Sequence, residues 1–415
     1  MRKEIKLKNI ASYSNTRIKI SEVTLDDFVT TDSLLQNKAG ITKATNLPPQ
    51  NGAMPAYGKG NILIGNIRPY LKKIWFADRN GGASADVLVL NIDKSYDPKY
   101  VYYALFRDDF FDHMMRGSKG TKMPRGDKNQ VLDFLIPDFN LPAQQKIAAV
   151  LSALDAKIAL NNRINAELEA MAKTLYDYWF VQFEFPSPQP PEGANKAENF
   201  PLWGQGGYKT SGGAMVWNED LKREIPEGWE VKTLLDIADY TNGLACQKFR
   251  PVDDNYLRVI KIREMREGFT EDSELVRANI PEKVIVENGD VLFSWSASLE
   301  VIIWAKGKGG LNQHIFKVTS KKYPKSFYYF QLINYLQHFK MLAENRKTTM
   351  GHITQEHLQQ SRIVVPSNDD LIKKLDEKLC PILDKQVQIQ QENQQLSALR
   401  DWLLPMLMNG QVVVE

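Results

Sequence analysis

Residues 142–180 read PAQQKIAAVLSALDAKIALNNRINAELEAMAKTLYDYWF. Taken as a helix, this stretch puts Ile147, Leu151, Leu154, Ile158, Asn161, Asn165, Leu168, Ala172, Leu175 and Trp179 on one stripe, each three or four residues from the last. That is the spacing of a coiled-coil seam, although one such stripe alone is also what any helix buried along a face shows. Recurrence decides the matter. Leu375, Leu379, Ile382, Ile389, Asn393, Leu396 and Leu403 stand 228 positions after Ile147, Leu151, Leu154, Asn161, Asn165, Leu168 and Leu175.

The repetition extends to what precedes each helix. Leu7–Asn15 reads LKNIASYSN and Leu234–Asn242 reads LLDIADYTN, with five identities in nine positions. Gly60-Asn61-Ile62-Leu63 is matched by Gly289-Asp290-Val291-Leu292, Gly81-Gly82 by Gly309-Gly310, and Leu135-Ile136-Pro137 by Val364-Val365-Pro366, all at offsets of 227 to 229. The chain is therefore a duplicated unit, a globular head followed by a long helix, and not a solenoid array.

Within the first head, Leu63–Ile67 and Val87–Ile92 are β-rich runs between glycines, and Tyr100–Phe111 has helical character. Pro142 suits the first turn of a helix. The expected divisions are a first head at 1–141, a long helix at 142–185, a Pro-, Gly- and Ser-rich linker at 186–224, a second head at 225–366, a second helix at 367–408 and a tail at 409–415. The fold class is mixed α/β (α+β), with a pseudo-twofold internal repeat. Antiparallel pairing of the two seams is the economical arrangement, because a parallel pair would send the linker back along a helix on the order of 58 Å long. It would also put the heads at opposite ends of a rod. Asn165 and Asn393, at equivalent seam positions, suit either the selection of register or a seam that is partly solvated there.

Composition narrows the class without choosing a function. The 415 residues, 43% hydrophobic and 25% charged, allow more than one core, and no apolar run approaches the ~20 residues of a membrane span. Met1-Arg2-Lys3 opens no secretory signal, and Cys246 and Cys380 fit a reducing cytoplasm. A net charge of +3 permits a polyanionic partner without requiring one.

Local clusters are more informative. Arg116, Lys119, Lys122, Arg125 and Lys128 fall between Met115 and Gln130 against a single acid, Asp127, and are interleaved with Gly117, Gly120 and Gly126, which would let a loop approach a phosphate backbone. The matching stretch of the second head, Arg346-Lys347-Thr348-Thr349-Met350-Gly351-His352, is basic and hydroxyl-rich. Asn312-Gln313-His314 offers amide and imidazole groups suited to base edges. Arg68, Lys72, Thr121, Asn129, Ser294 and Ser296 complete the candidate DNA contacts.

Catalytic signatures are poor. Pro137-Asp138 with Asp155-Ala156-Lys157 fits a nuclease string by letters, but residues two apart on a helix do not face one way. Gly204-Gln205-Gly206-Gly207 lies in the linker, where a cofactor loop is not expected. Asn46-Leu47-Pro48-Pro49-Gln50 lacks the aromatic that ends an amino-methyltransferase motif. The histidines show no metal-site spacing. The expectation is a chain without catalysis, metal or cofactor.

The order of head, helix, linker, head and helix resembles that of the specificity (S) subunits of type I restriction-modification enzymes over nearly the whole chain. The strings that carry the resemblance are Leu141-Pro142-Ala143-Gln144-Gln145-Lys146-Ile147, Trp179-Phe180-Val181, Ile225-Pro226-Glu227-Gly228-Trp229 and Gly120-Thr121. The second helix departs from the family pattern, with Asn368-Asp369-Asp370 at its start and Pro381 inside it, so that a straight helix is not assured by the resemblance.

The resemblance implies that each head is a target-recognition domain reading half of a bipartite, asymmetric site in double-stranded DNA. It implies two modification subunits that bind S-adenosylmethionine and two restriction subunits driven by ATP and Mg2+, with none of these cofactors on this chain and no membrane partner. Tyr176, Trp179, Phe180 and Phe183, with Trp402, Leu403 and Leu407, are the candidate docking surface for the modification subunits, the alternative being that they pack against the chain's own heads. Two other classes stand beside this reading, a stand-alone enzyme acting on DNA and an interaction scaffold with no DNA role.

Overall fold

In each half of the chain, one glycine turn launches the strand on which the main sheet is built. Asn61 Oδ1 accepts from the Gly58 N–H and Asp290 Oδ2 from the Glu287 N–H, both at 2.7 Å. Gly60 and Gly289, at φ 92° and 93°, take the left-handed step that this turn needs. A computed structural model of the chain describes residues 3–49, 51–186, 207–345 and 352–414. The chain divides into two units, Met1–Ile158 with Gln395–Glu415, and Ala159–Gln394.

The first unit holds a four-stranded antiparallel sheet in the order Ala11–Tyr13, Val87–Ile92, Ile62–Gly65, Ile74–Phe76. The second repeats it as Asp239–Asn242, Ile315–Thr319, Val291–Ser294, Glu300–Ile303. Both faces of the launching strand are covered, which is why it reads as an unbroken apolar run. Ile62 and Ile64 enter one core with Tyr100 and Phe110, while Leu63 enters another with Trp75 and Val89. In the second unit Val291 and Phe293 face one way and Leu292 the other.

The two long helices, Leu141–Phe180 and Asp369–Met408, each have 40 residues. Asn140 caps the first by accepting the Ala143 N–H at 3.0 Å. They pair antiparallel within each unit. In the first unit Ile147, Ala148 and Leu151 share a core with Leu404, Leu407 and Met408, and Asp155 meets Arg400 at 2.8 Å. In the second, Ala172, Tyr176 and Trp179 share a core with Leu375, Leu379 and Leu383.

Several details differ from expectation. The buried asparagine that pairs across the seam is Asn161, whose Nδ2 donates to Asn393 Oδ1 and Glu392 Oε2, both at 2.9 Å. Asn165 uses its backbone carbonyl, which accepts from Gln386 at 3.2 Å, and its Oδ1 is buried with no hydrogen-bond partner among the described residues. Pro381 does not end the second helix. It lies on the exposed face with Glu377, so the carbonyl left without an N–H faces solvent. The helical segment expected over Tyr100–Phe111 is two helices, Pro98–Leu105 and Asp108–Arg116. Part of the expected linker is structured, since Met215–Asn218 and Arg223–Pro226 form an antiparallel hairpin.

The aromatic docking surface is corrected by burial. Tyr176, Trp179, Phe180 and Phe183 are each at most 5% exposed and fill the core of the second unit. Tyr176 stacks on Phe330 at 5.0 Å, and Phe180 and Phe183 meet Trp229 at 5.8 and 5.5 Å. The rings at the helix end find their apolar partners inside the same unit, which removes them from any outer surface. Leu407 is buried in the first unit and Leu403 is half-buried, while Trp402 is 58% exposed. No helix among the described residues is long and apolar enough to cross a membrane.

Candidate nucleic-acid interface

In the first unit the chain leaves the strand Ile62–Gly65 through Asn66, Ile67 and Arg68, and the basic loop folds back against this exit. The Gly126 N–H donates to the Asn66 carbonyl at 3.1 Å, and the Arg68 N–H donates to the Pro124 carbonyl at 2.7 Å. The loop closes on itself through two bonds between Lys119 and Arg125, N–H to carbonyl in each direction, both at 3.0 Å. Its tip, Thr121, Lys122 and Met123, is exposed, as are Arg68 and Arg116.

The glycines serve this packing rather than an approach to phosphate. A Cβ on Gly117 would lie 1.2 Å from Gln130 Oε1, and one on Gly126 would lie 2.8 Å from Asn66 Oδ1. Gly120 is needed for its φ of 92°. After the loop, Asp127 caps the helix Lys128–Leu132, and the N–H groups of Gln130 and Asn129 hold its carboxyl below the usual carboxylate range. Lys119 pairs loosely with Asp127 at 3.7 Å and is 86% exposed.

The remaining first-head candidates separate by partner. Arg125 donates through one terminal nitrogen to Asp86 Oδ1 at 2.6 Å with 58% of its side chain exposed. Lys128 lies over the Tyr13 ring at 5.7 Å, and Asn129 is exposed. Lys72 is held within the unit. Its ammonium pairs with Asp108 at 3.0 Å, and Lys38 pairs with the same carboxylate at 2.8 Å. Burial alone would raise the Asp108 carboxyl, but the hydrogen bonds from Lys38 and Lys72 outweigh it and hold the group low. Lys72 thus anchors the exit segment to the helix Asp108–Arg116.

The second unit repeats this frame. The Ile353 N–H donates to the Trp295 carbonyl at 2.9 Å, as Gly126 does to Asn66. The Trp295 N–H donates to the His314 carbonyl at 3.3 Å, as Asn66 does to Asp86 at 2.9 Å. Arg68 and Ala297, at φ 52° and 58°, make the same left-handed step after the strand. The side chains differ. Trp295 donates its indole N–H to Asn242 Oδ1 at 3.0 Å and packs against His314 and His352 at ring distances of 5.6 and 5.4 Å. Gln313 Nε2 lies 3.3 Å from His314 Nε2.

Ser294, Ser296 and Asn312 are corrected as base contacts, being 0, 5 and 8% exposed. Ser294 Oγ donates to the Ser298 carbonyl at 2.5 Å and accepts the Glu300 N–H at 2.9 Å, and Asn312 Oδ1 accepts the His314 N–H at 3.3 Å. The polar groups of Ser294 and Asn312 satisfy the backbone where the strand turns, and Ser296 is withdrawn by its burial. Gln313 and His314 are half-buried and His352 is exposed, whereas Arg346, Lys347, Thr348 and Thr349 lie outside the described residues.

The nuclease-like string is explained by local contacts. Asp138 accepts from the Tyr96 hydroxyl at 2.5 Å, and Asp155 accepts from Tyr103 at 2.6 Å and Arg400 at 2.8 Å. Asp86 and Trp295 were not singled out by sequence reasoning. The offset of 228 to 229 that joins Asp86 to His314 and Asn66 to Trp295 was the available signal.

A sequence model for the type I restriction modification DNA specificity domain matches residues 4–170 and again 226–399. The specificity subunit of the type I restriction enzyme HindI from Haemophilus influenzae is 25% identical, with 99% of each chain covered. The MjaIX specificity subunit from Methanocaldococcus jannaschii is 24% identical over 76% of this chain and 69% of its own. Among solved structures, the type I restriction-modification S subunit from M. genitalium has the same fold, with a TM-score of 0.56 at 13% identity over 98% of this chain and 96% of that one.

Proposed function

The chain belongs to the type I restriction modification DNA specificity family, and from that premise we propose that its two heads read the two halves of a bipartite, asymmetric site in double-stranded DNA. The observation that carries this reading is the shared frame. In both repeats the segment following a basic run is bonded to the exit of the same strand, at Gly126 to Asn66 and at Ile353 to Trp295. Shared backbone with unlike side chains is what two readers of different half-sites require.

In the first head, Arg68, Arg116, Lys119 and Lys122 are exposed cations grouped around one exit segment, suited to phosphates. The chain is a specificity subunit without a reaction of its own. Two modification subunits would bring S-adenosylmethionine, and two restriction subunits would bring ATP and Mg2+, in the cytoplasm where the DNA is. With the aromatic cluster buried, Trp402 is the remaining candidate for docking a modification subunit, and the helix length sets the number of unread base pairs.

The test is to map methylated adenines genome-wide in cells that carry the chain with a modification subunit. The expected result is a motif of two defined halves around an undefined spacer. Methyl transfer by the purified chain alone would make it an enzyme, and no gel shift of DNA with the modification subunit present would leave only a scaffold.

A further inference from the structure

Three positions in each head occupy the same places in the frame and hold different chemistry. Asn66, Asp86 and Arg125 of the first head correspond to Trp295, His314 and His352 of the second. In the first head the outcome is a tethered guanidinium. Arg125 is bonded through its N–H and its carbonyl to Lys119 and also bridges to Ile67, so its main chain is held on both edges. Asp86, whose own carbonyl accepts the Asn66 N–H, then takes one terminal amine of Arg125 at 2.6 Å.

A phosphate contact needs none of this. Its charge attraction tolerates any approach, and a carboxylate 2.6 Å from the guanidinium opposes an incoming phosphate. Recognition of a guanine edge has the opposite requirement. A fork of N–H groups held in one plane matches O6 and N7 together, and a carboxylate on one amine fixes that plane while leaving the other donors available. The side chain is 58% exposed, so those donors are accessible. Lys119, 86% exposed and 3.7 Å from Asp127, and the exposed Lys122 show no such tether among the described residues.

We propose that Arg125, oriented by Asp86, reads a guanine in the half-site of the first head, while Lys119 and Lys122 beside it hold phosphates. Asp86 is a positioning residue that acts through Arg125. The proposal rests on the reading of this loop as a DNA contact. The second head has no arginine or lysine at the equivalent described positions, so it serves as an internal control.

The experiment is selection from a randomised duplex library by the full chain together with a modification subunit at fixed salt, with wild type, Arg125→Ala, Arg125→Gln, Asp86→Asn and Lys122→Ala compared. The preference for guanine at one position of one half-site is expected to fall roughly 5- to 150-fold in Arg125→Ala, with the other half-site still selected, which also reports that the chain is folded. Arg125→Gln should move that position toward adenine. Asp86→Asn should relax the same position and no other. Lys122→Ala should weaken all sequences alike, with the salt slope reduced by about one.

Arg125→Ala that weakens every sequence equally with the motif intact would make Arg125 a phosphate contact and overturn the proposal. So would a motif with no guanine that responds to either Arg125 variant, or loss of all selectivity in both halves. A wild-type chain that selects no sequence would overturn the DNA reading itself, which is a different result.

Discussion

The two heads share a frame and differ at its margins. Each carries a second sheet whose centre is the glycine strand, Gly81–Ala83 or Gly309–Leu311. A strand lies parallel to it on one side, Phe28–Val29 or Tyr256–Ile260, and another antiparallel on the other, Ala53–Tyr57 or Ile285–Val286. The fourth strand is added on opposite sides. Arg17–Lys19 extends the antiparallel edge in the first head, and Leu275–Arg277 extends the parallel edge in the second. Inner strands are constrained on two edges and two faces, so the duplication persists there, whereas an outer edge and an exposed loop can change with little cost to the core.

The largest expected effect tests whether the heads are independent. Exchanging residues 1–141 for the head of another family member should change one half of the methylated motif and leave the other half as it was. A change in both halves would mean that the heads do not read separately.

The next test uses packing that only the second head has. Phe180→Ala removes a ring 5% exposed among Trp229, Tyr176 and Phe327 and should cost about 3–5 kcal/mol. Hydrogen exchange should accelerate in Val291–Ser294 and stay unchanged in Ile62–Gly65. Equal acceleration in both strands would show that the two units unfold together.

Gly117→Ala affects the first head. Its methyl would occupy the place of the Gln130 amide, whose Nε2 donates to the His113 carbonyl at 2.9 Å, and the expected cost is about 1–3 kcal/mol by thermal melting. Unchanged stability would mean that Gln130 moves aside freely and that the loop is not braced by it.

The smallest effect concerns the seam, where Asn165 and Asn393 are equivalent by sequence but not by contact. Asn165→Leu removes a buried oxygen that has no partner among the described residues and should stabilise the chain by about 1 kcal/mol in denaturant melts. Asn161→Leu should destabilise it, since Asn393 and Glu392 would each lose a hydrogen bond. If both substitutions acted in the same direction, the distinction between the two asparagines would be wrong.

The repeat and the long helices could be read from residue spacing, and their antiparallel pairing from the path a linker would have to take between parallel helices. A period of three and four repeated 228 positions later marks two like seams, each with a face to bury. The basic loop and its counterpart were visible for the same reason, because the offset carried across from the strands. Spacing shows that a face is buried and is silent about what covers it. Tyr176, Trp179, Phe180 and Phe183 therefore gave the same signal for a partner's surface as for the core of the second unit, and only the approach of Phe327, Phe330 and Trp229 decided between them. Ser294, Ser296 and Asn312 were ambiguous because hydroxyl and amide groups satisfy a turning backbone as well as a base edge. The tether of Arg125 to Asp86 joins residues 39 positions apart through the strand exit at Asn66. No local pattern encodes it, since the distance closes only when the loop folds back on the sheet, and that is a property of the tertiary structure alone.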